Sequence, residues 1–314
     1  MKENNQPCIL LIDPPHYRLF KNTYGLARYP LSLGYLSGAI KAKTDWRVIA
    51  YNADFFPKSK PVKVRYLSGQ GFENYRSALK NPSEPIWKEI AAVITRYQPA
   101  VVGISCKSQT FASARAVARI VKEIDPRIIT IAGGPHPSMV GGEILAYPEF
   151  DVAVRGEGEA AIIQLLNAIQ TEKSFEGIPG VIFRNNNQIR DNGPGAFIED
   201  LNSLPFPHQF APQVLHDYKL YPPSAFNHIF ATRGCSYNCF FCGSRNVWGR
   251  KVRFRFPENV VREIQGLMQK GLTSVYFDDD TFGINTQSIR ELCQAIKTGC
   301  PGLEQFKNYC TFVR

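Results

Sequence analysis

The segment that decides the fold runs from residue 100 to residue 137 and reads AVVGISCKSQTFASARAVARIVKEIDPRIITIAGGPHP. It starts with a short aliphatic run, continues with apolar residues at helical spacing, such as Ala114, Val117 and Val121, and ends with a second aliphatic run. Short continuous apolar runs are typical of strands that are buried on both faces of a sheet. Because a helix that crosses over between two strands allows them to run parallel, the segment predicts one unit of a parallel sheet.

The same alternation of apolar runs and helical patterns fills the first 170 residues. The predicted strands are 8–12, 46–51, 100–105, 128–132 and 151–154, and the predicted helices are 31–43, 85–97, 111–124 and 157–169. This βαβα order predicts an α/β fold with a doubly wound, Rossmann-like parallel sheet. The long mixed segment 54–84 is expected to be an insertion over one end of the sheet.

A second α/β pattern follows a break in the helical rhythm. Residues 176–227 predict a hairpin at Asn185-Asn186-Asn187 and then a proline-rich linker. Strands are predicted at 228–232, 274–277 and 307–312, with helices at 257–270 and 286–297. These elements are too few to close a barrel, and the last strand would leave an unpaired edge, so we expect a fragment of a longer protein. The predicted domains are therefore 1–175, an α/β domain, and 228–314, the first part of a (β/α) barrel.

Composition narrows the class of protein. Hydrophobic residues make up 44% of the 314 residues and charged residues 20%, which is typical of a globular protein. The sequence has no apolar run long enough for a membrane helix and no signal peptide behind its polar start, so we predict a cytoplasmic protein. The net charge of +10 is scattered, with only short basic stretches at 58–65 and 250–255. An anionic cofactor or substrate therefore explains it better than nucleic acid.

Unusual residues follow four of the predicted strands, where doubly wound sheets bind their ligands. These loops are 13–16 (DPPH), 105–110 (SCKSQT), 133–137 (GGPHP) and 155–159 (RGEGE). Glycines at strand ends let the backbone approach a large planar ligand or a phosphate, and the helix starting near Glu157 presents free N–H groups. A single glycine pair is typical of a tight turn, but four such loops at one sheet edge favour a ligand site.

Three thiols, Cys235, Cys239 and Cys242, lie within eight residues directly after a predicted strand. Three thiolates can hold three irons of a 4Fe-4S cluster and leave the fourth iron open to another ligand. A structural zinc site would need a fourth ligand, and the nearest later thiol, Cys293, lies in a predicted helix. The eight cysteines of the chain do not form a disulfide framework, so in a reducing cytoplasm they are expected to remain thiols or metal ligands.

The CxxxCxxC spacing, with an aromatic residue before its last cysteine, resembles the cluster motif of the radical SAM superfamily. This resemblance implies that the open iron chelates S-adenosylmethionine (SAM) and that reduction cleaves SAM to methionine and a 5′-deoxyadenosyl radical. It assigns SAM contacts to Phe241, Gly243, Asp279 and Asp280, with Phe241 against the adenine. The acidic run 278–280 is equally consistent with an N-cap cluster before the helix at Thr286.

The N-terminal half resembles the cobalamin-binding domain that precedes the barrel in one large subgroup of this superfamily. The resemblance rests on the four loops above and on the segments 30–36 (PLSLGYL) and 102–105 (VGIS). The cobalamin contacts that it implies are Pro15, Ser105, Ser108, Gln109, Thr110, Gly133, Gly134, Pro135, His136, Gly156, Glu157, Gly158 and Glu159.

One departure concerns the ligand below cobalt. Methionine synthase and the mutases supply a histidine from an Asp-x-His-x-x-Gly motif, but the corresponding region here, 58–65, reads KSKPVKVR. Radical SAM members commonly lack that motif too, so cobalamin is expected without a histidine below cobalt, which favours the cob(I) and cob(II) states. His136 is expected to contact the nucleotide tail or its own loop, and His16 is either a site residue or an ordinary surface histidine.

The family resemblance implies methyl transfer from methylcobalamin to an unactivated carbon. It also implies a small-molecule substrate and an external electron donor of the flavodoxin or ferredoxin type. Two alternatives stay open: a non-methylating, cyclase-like enzyme, and a truncated chain that binds cofactors without catalysis. A methylthiotransferase is disfavoured because it needs three further N-terminal cysteines, and only Cys8 and Cys106 are available.

Overall fold

The computed structural model describes residues 6–60, 62–186, 188–303 and 305–308. Within these residues the first sheet contains β1 (Cys8–Asp13), β2 (Arg47–Asn52), β3 (Val101–Ser105), β4 (Ile129–Gly133), β5 (Val152–Val154), β6 (Val181–Asn185) and β7 (Gln188–Asp191). Their spatial order is β2-β1-β3-β4-β5-β6-β7. The pairs among β1 to β5 are parallel, and β6 and β7 add an antiparallel hairpin at one edge. The α/β fold class expected from the sequence is confirmed.

Helices cover both faces of this sheet. They are α1 (Tyr17–Phe20), α2 (Leu31–Lys43), α3 (Val64–Ser68), α4 (Gln70–Ala78), α5 (Pro85–Tyr97), α6 (Phe111–Ile124), α7 (Pro135–Val140), α8 (Gly158–Gln170) and α9 (Pro207–Val214). Successive strand residues point to opposite faces, so Ile9 and Leu11 enter the core under α2 and α8, while Leu10 and Ile12 enter the core under α5 and α6. Both faces are buried, which explains why β1 is apolar at every position from 8 to 12.

The segment expected to be a linker is part of the N-terminal fold. Its hairpin extends the first sheet beyond residue 175, because β6 pairs with β5. Its proline-rich part contains α9, in which Pro207 occupies the first turn, where proline favours a helix. Ala211, Val214 and Leu215 are buried in the same core as α2. Apolar burial therefore anchors a stretch whose prolines suggested an open connection.

The segment 54–84 contains two short helices, α3 and α4, that the sequence did not reveal. Helix α4 lies against α1, and the Tyr75 ring stacks on Phe20 with ring centroids 5.1 Å apart. Because α1 follows β1 directly, this segment covers the sheet end at which β1 finishes, in agreement with the expected insertion. No helix in the described ranges is long and apolar enough to span a membrane.

The C-terminal part consists of β8 (His228–Ile229), β9 (Thr232–Arg233), α10 (Ser244–Trp248), β10 (Arg253–Phe254), α11 (Pro257–Met268), β11 (Ser274–Phe277), α12 (Thr286–Gly299) and β12 (Gln305–Asn308). Strands β8, β11 and β12 form a parallel sheet, and β9 pairs with β10 in an antiparallel ribbon. The single strand expected at 228–232 is therefore wrong, because the chain leaves the first strand after Ile229 to pair with β10. The expected strand at 307–312 starts earlier, at Gln305, and residues 309–312 of that expectation lie outside the described residues.

Candidate functional site

A cleft of about 1170 Å³ opens at the carboxyl edge of the first sheet. Its inner part is an apolar slot between the sheet and two helices, lined by Leu11, Gly103, Ile131 and Val154 from four strands and by Leu33, Leu36 and Ile162 from α2 and α8. The glycine in β3 leaves room for Leu11, since a Cβ atom at Gly103 would lie 2.8 Å from Leu11 Cδ2 and the leucine side chain would have to shift. A flat apolar group fits this slot better than a charged one.

The rim of the cleft carries most of the residues that the sequence assigned to cobalamin. Those that line it are Ser105, Gly133, Gly134, Pro135, Gly156, Glu157, Gly158 and Glu159. A Cβ atom built at Gly133 would meet no heavy atom within 4 Å, so any side chain there would project into open space. Gly134 has φ +103°, a conformation that favours glycine, and a Cβ there would lie 3.2 Å from Cys106 O. The rim is thus a backbone cradle that side chains would fill.

The remaining assigned residues lie beside the cleft. Ser108 Oγ and His136 Nδ1 are 3.1 Å apart, and the His136 ring lies over Phe111 at 4.2 Å between centroids. Partial burial lowers the pKa of His136. Gln109 and Thr110 line a second cavity instead, whereas Pro15, Ser108 and His136 line neither cavity among the described residues. His136 therefore contacts the neighbouring loop 105–110 and the start of α6, and its contact with the nucleotide tail stays a prediction.

The second cavity, of about 1010 Å³, is polar and adjoins the cleft, with which it shares Ser32, Lys107 and Phe230. Four of its charged residues form two pairs: Lys107 Nζ lies 3.5 Å from Asp13 Oδ1, and Arg28 pairs with Asp278. His16 also lines this cavity, and burial lowers its pKa. Sequence reasoning missed this cavity because its walls combine residues far apart in the chain.

Asp54, in the wall of the second cavity, allows a test by pH. Its Oδ1 accepts hydrogen bonds from the backbone N–H groups of His16 and Arg18, each at 2.9 Å, while burial raises its pKa to about 7. The unfolded chain loses this proton near pH 4 and the folded chain near pH 7. Burial of the charge therefore destabilises the fold increasingly as the pH rises through this window.

We expect Asp54→Asn to remove that dependence, because the neutral amide oxygen can accept both bonds. Relative to the variant, the wild type should lose on the order of 2–4 kcal/mol of unfolding free energy between about pH 4 and about pH 7. Urea unfolding of both proteins at several pH values measures the difference. A constant difference across this range would show that Asp54 does not titrate as its burial indicates.

The outer wall of the cleft comes from the C-terminal part of the chain. It consists of Phe230, Arg233, Val247 and Trp248. The Arg233 guanidinium lies 4.9 Å from the centroid of Tyr35 and 5.0 Å from that of Trp248, so it interacts with two aromatic rings. The sequence analysis did not select these residues, although the position of Arg233, two residues before the first motif cysteine, was an available signal.

Four buried charged side chains join the rim to this wall, and we call them the ion-pair network: Glu157, Glu159, Arg233 and Arg253. Arg233 Nη2 donates to Glu159 Oε1 at 2.6 Å, and Arg253 Nη2 lies 2.5 Å from Glu157 Oε1. Glu157 Oε2 also accepts from the backbone N–H of Ile198 at 2.6 Å. Both glutamates assigned to cobalamin therefore form ion pairs that hold the two parts of the chain together.

The three motif cysteines lie on one loop, residues 234–243, which we call the cysteine loop. Cys235 Sγ is 3.0 Å from Thr281 Oγ1, Cys239 is half-buried and Cys242 is exposed. All three are free thiols, a donor set that suits iron. No group of three or more His, Cys, Asp or Glu side chains in the described residues is arranged to hold a metal ion. The structure thus places the thiols on a single loop without gathering them into a ligand set.

The residues expected to contact SAM differ in their surroundings. Phe241 is 69% exposed, and Gly243 packs so closely on α7 that a Cβ there would lie 2.5 Å from Met139 Sδ. Asp280 is largely buried, which raises its pKa, while contacts with the Gly234 backbone and with Ser244 lower it. Asp280 therefore touches both ends of the cysteine loop.

Asp279 is buried, and its carboxylate accepts from Ala231 N and Thr232 Oγ1, each at 2.8 Å. Burial raises its pKa to about 6. These bonds hold the chain where it passes from β8 to β9. The alternative in which the acidic run caps the following helix is wrong, because Asn285 caps α12 by accepting from Ser288 N.

Known proteins resemble this chain over most of its length. A family model described as the B12 binding domain matches residues 18–166. An uncharacterised methyltransferase of Pyrococcus horikoshii is 27% identical over 92% of this chain and 57% of its own length. An anaerobic magnesium-protoporphyrin IX monomethyl ester cyclase of a Synechocystis species is 30% identical over 56% of this chain and 35% of the cyclase.

A solved structure of the radical SAM methyltransferase TsrM from Kitasatospora setae superposes with a TM-score of 0.64 at 16% identity, covering 93% of this chain and 51% of TsrM. This likeness shows a shared fold. The chain thus spans little more than half the length of these two methyltransferases. Residues 18–166 thus match the B12 binding domain, and the chain as a whole is similar in sequence to an uncharacterised methyltransferase and in fold to a radical SAM methyltransferase.

Proposed function

We propose that this chain is the cofactor-binding part of a cobalamin-dependent radical SAM methyltransferase. The observation that carries the proposal is the cleft, in which a glycine cradle and an apolar slot face a wall that leads directly into the cysteine loop. The proposed cobalamin site in the cleft and the proposed cluster site on the cysteine loop are therefore adjacent.

The cleft fits cobalamin by the chemistry of its two parts. The apolar slot suits the flat aromatic base of the nucleotide tail, and the exposed backbone at Gly133, Gly134 and Gly156 suits a corrin ring with its amide side chains. Ser105 adds a hydroxyl at the rim, and Ser108, Gln109, Thr110 and His136 border it. Glu157 and Glu159 support the rim through the ion-pair network.

The cysteine loop fits an iron-sulfur cluster by its donors. Cys235, Cys239 and Cys242 would ligate three irons, and the exposed Phe241 would cover the adenine of SAM. Asp280 lies near Gly234 and Ser244, at the two ends of this loop. When bound, the cluster supplies the electron that cleaves SAM, and cobalamin supplies the methyl group.

The chain's own contribution to such a reaction is position and exclusion of water. Phe230 and Trp248 form an aromatic wall between the cleft and the cysteine loop, and Tyr35 backs it from α2. The polar second cavity beside the cleft offers Lys107 and Asp13 to a small-molecule substrate. We include in the proposal an external flavodoxin- or ferredoxin-like electron donor and a cytoplasmic location, where the free thiols stay reduced.

A non-methylating, cyclase-like reaction is the second candidate. The 30% identity to an anaerobic cyclase over 56% of this chain favours it. The two candidates differ in product, because only a methyltransferase consumes a second SAM and releases S-adenosylhomocysteine.

The test of the proposal is anaerobic reconstitution of the chain with iron, sulfide and hydroxocobalamin, followed by metal analysis of the desalted protein. We expect about four irons and about one cobalt per chain. Iron without cobalt would overturn the assignment of the cleft, and cobalt without iron would overturn that of the cysteine loop. SAM and dithionite are then added to the chain that holds both cofactors. Formation of S-adenosylhomocysteine supports the methyltransferase, and formation of deoxyadenosine alone supports the non-methylating enzyme.

A further inference from the structure

We propose that Arg233 is a positioning residue that couples occupation of the cleft to assembly of the cluster, so that each cofactor strengthens the binding of the other. The inference rests on the proposed function and concerns how the two sites communicate.

Arg233 connects the rim of the cleft to the start of the cysteine loop. Its side chain is only 4% exposed; it donates to Glu159 on the rim at 2.6 Å and lies 3.8 Å from Glu157. Its Nη1 atom has no hydrogen-bond partner among the described residues, which leaves a buried N–H group in a residue that lines the cleft. Buried donors are nearly always paired, so an acceptor in the cleft would complete this guanidinium.

The burial of the ion-pair network is better explained by a role in positioning the chain than by a contribution to the stability of the fold. Ion pairs that are removed from water gain little net free energy, because desolvation offsets their attraction. A guanidinium that interacts with two partners does, however, fix their relative orientation. Here it fixes residue 233, and therefore Gly234 and Cys235, against the loop 155–159.

The far end of the cysteine loop is anchored to the same cleft. Gly243, directly after the last cysteine, packs on Met139 of α7, the helix that begins at the rim residue Pro135. Val247 and Trp248 of α10 then line the cleft itself. Both ends of the loop that carries the thiols are thus attached to the rim or wall of the cleft.

A ligand that packs on Trp248 and pairs with Arg233 restricts both ends of the loop, and so lowers the conformational cost of bringing three thiols together. Thermodynamic linkage makes the effect reciprocal, so a chain with its cluster assembled must bind cobalamin more tightly by the same factor. Coupling of this kind is usually between about 5-fold and 150-fold, and we expect about tenfold.

The experiment measures the Kd of hydroxocobalamin anaerobically, by equilibrium dialysis, for the chain before and after reconstitution with iron and sulfide. The ratio of the two constants is the readout, and it needs no turnover. For the wild type we expect a ratio of about ten, and for Arg233→Gln a ratio near one. Arg233→Lys keeps the charge but loses the fork, and should recover only part of the ratio.

Arg18→Gln is the matched control. Arg18 is also buried and paired, with Glu89 Oε2 at 2.8 Å from its Nη2, but it does not line the cleft. Its loss should cost stability of the fold while leaving the ratio at the wild-type value. Glu159→Gln removes the partner of Arg233 without changing the size of the side chain, and should lower the ratio as Arg233→Gln does.

A wild-type ratio of one, or a wild-type ratio retained in both Arg233→Gln and Glu159→Gln, would overturn the inference and leave the proposed function intact. Absence of cobalamin binding by the wild-type chain would overturn both. If Arg233→Gln does not fold, Glu159→Gln and the wild-type ratio still decide the matter.

Discussion

Cys239→Ala is expected to lower the iron content of the reconstituted chain from about four atoms to below about one, and to abolish cleavage of SAM. Cys239 is the middle of the three motif thiols. Its loss leaves only two ligands, which are too few and too widely spaced to retain a cubane cluster. Iron analysis and the visible spectrum report the cluster, and deoxyadenosine formation under dithionite reports the cleavage.

Cobalamin should still bind to this variant, because Cys239 does not line the cleft. Cys293→Ala is the matched control, since Cys293 is a half-buried thiol on α12, outside the motif. We expect it to keep its iron. A full cluster spectrum from Cys239→Ala would mean that the motif has been assigned to the wrong chemistry.

Gly133→Leu should weaken the binding of hydroxocobalamin about 100-fold or more, a loss of about 2.7 kcal/mol. The backbone at Gly133 does not need a positive φ, and an added Cβ would meet nothing within 4 Å, so the new side chain enters the cleft without straining the protein. Titration of cobalamin, together with urea unfolding, separates blocked binding from lost folding.

Ala100→Leu provides the comparison for this variant. Ala100 is exposed at the amino end of β3, so the substitution adds apolar bulk at the end of the sheet opposite the cleft. Its cobalamin affinity should equal that of the wild type. If Gly133→Leu also kept wild-type affinity, the cobalamin site would have to lie elsewhere. Gly134→Val is a poorer test, because φ +103° at this position strains any other residue.

The central strands of the N-terminal sheet were predictable because β1, β3 and β4 are buried on both faces and therefore appear as continuous apolar runs. Strand β3 and helix α6 illustrate this, since the positions of Val102 and Val117 follow directly from the two periodicities. The hairpin β6–β7 was expected as a hairpin but not as part of the sheet. All four residues of β7 are exposed, so its sequence carries no apolar alternation to indicate what it pairs with.

The parts of the candidate site that lie on a single loop could be predicted from the sequence. The parts that come from distant segments of the chain could not. Gly133 and Gly134 were found because strand ends of a parallel sheet meet at one edge. Arg233 and Trp248 were missed because tertiary packing, and not a local pattern, brings them to that edge. The glutamates 157 and 159 were assigned to the ligand, yet their carboxylates pair with arginines whose positions only the fold reveals.

The shared wall of the cleft also limits how this protein can be recombined with others. An exchange of the N-terminal α/β unit at the proline-rich segment would separate Glu159 from Arg233 and Tyr35 from Trp248, and would open one side of the slot to solvent. A chimera would therefore contain an N-terminal α/β unit whose buried carboxylates face side chains that are not their arginine partners. An exchange that keeps the cleft intact must therefore include both parts of the chain.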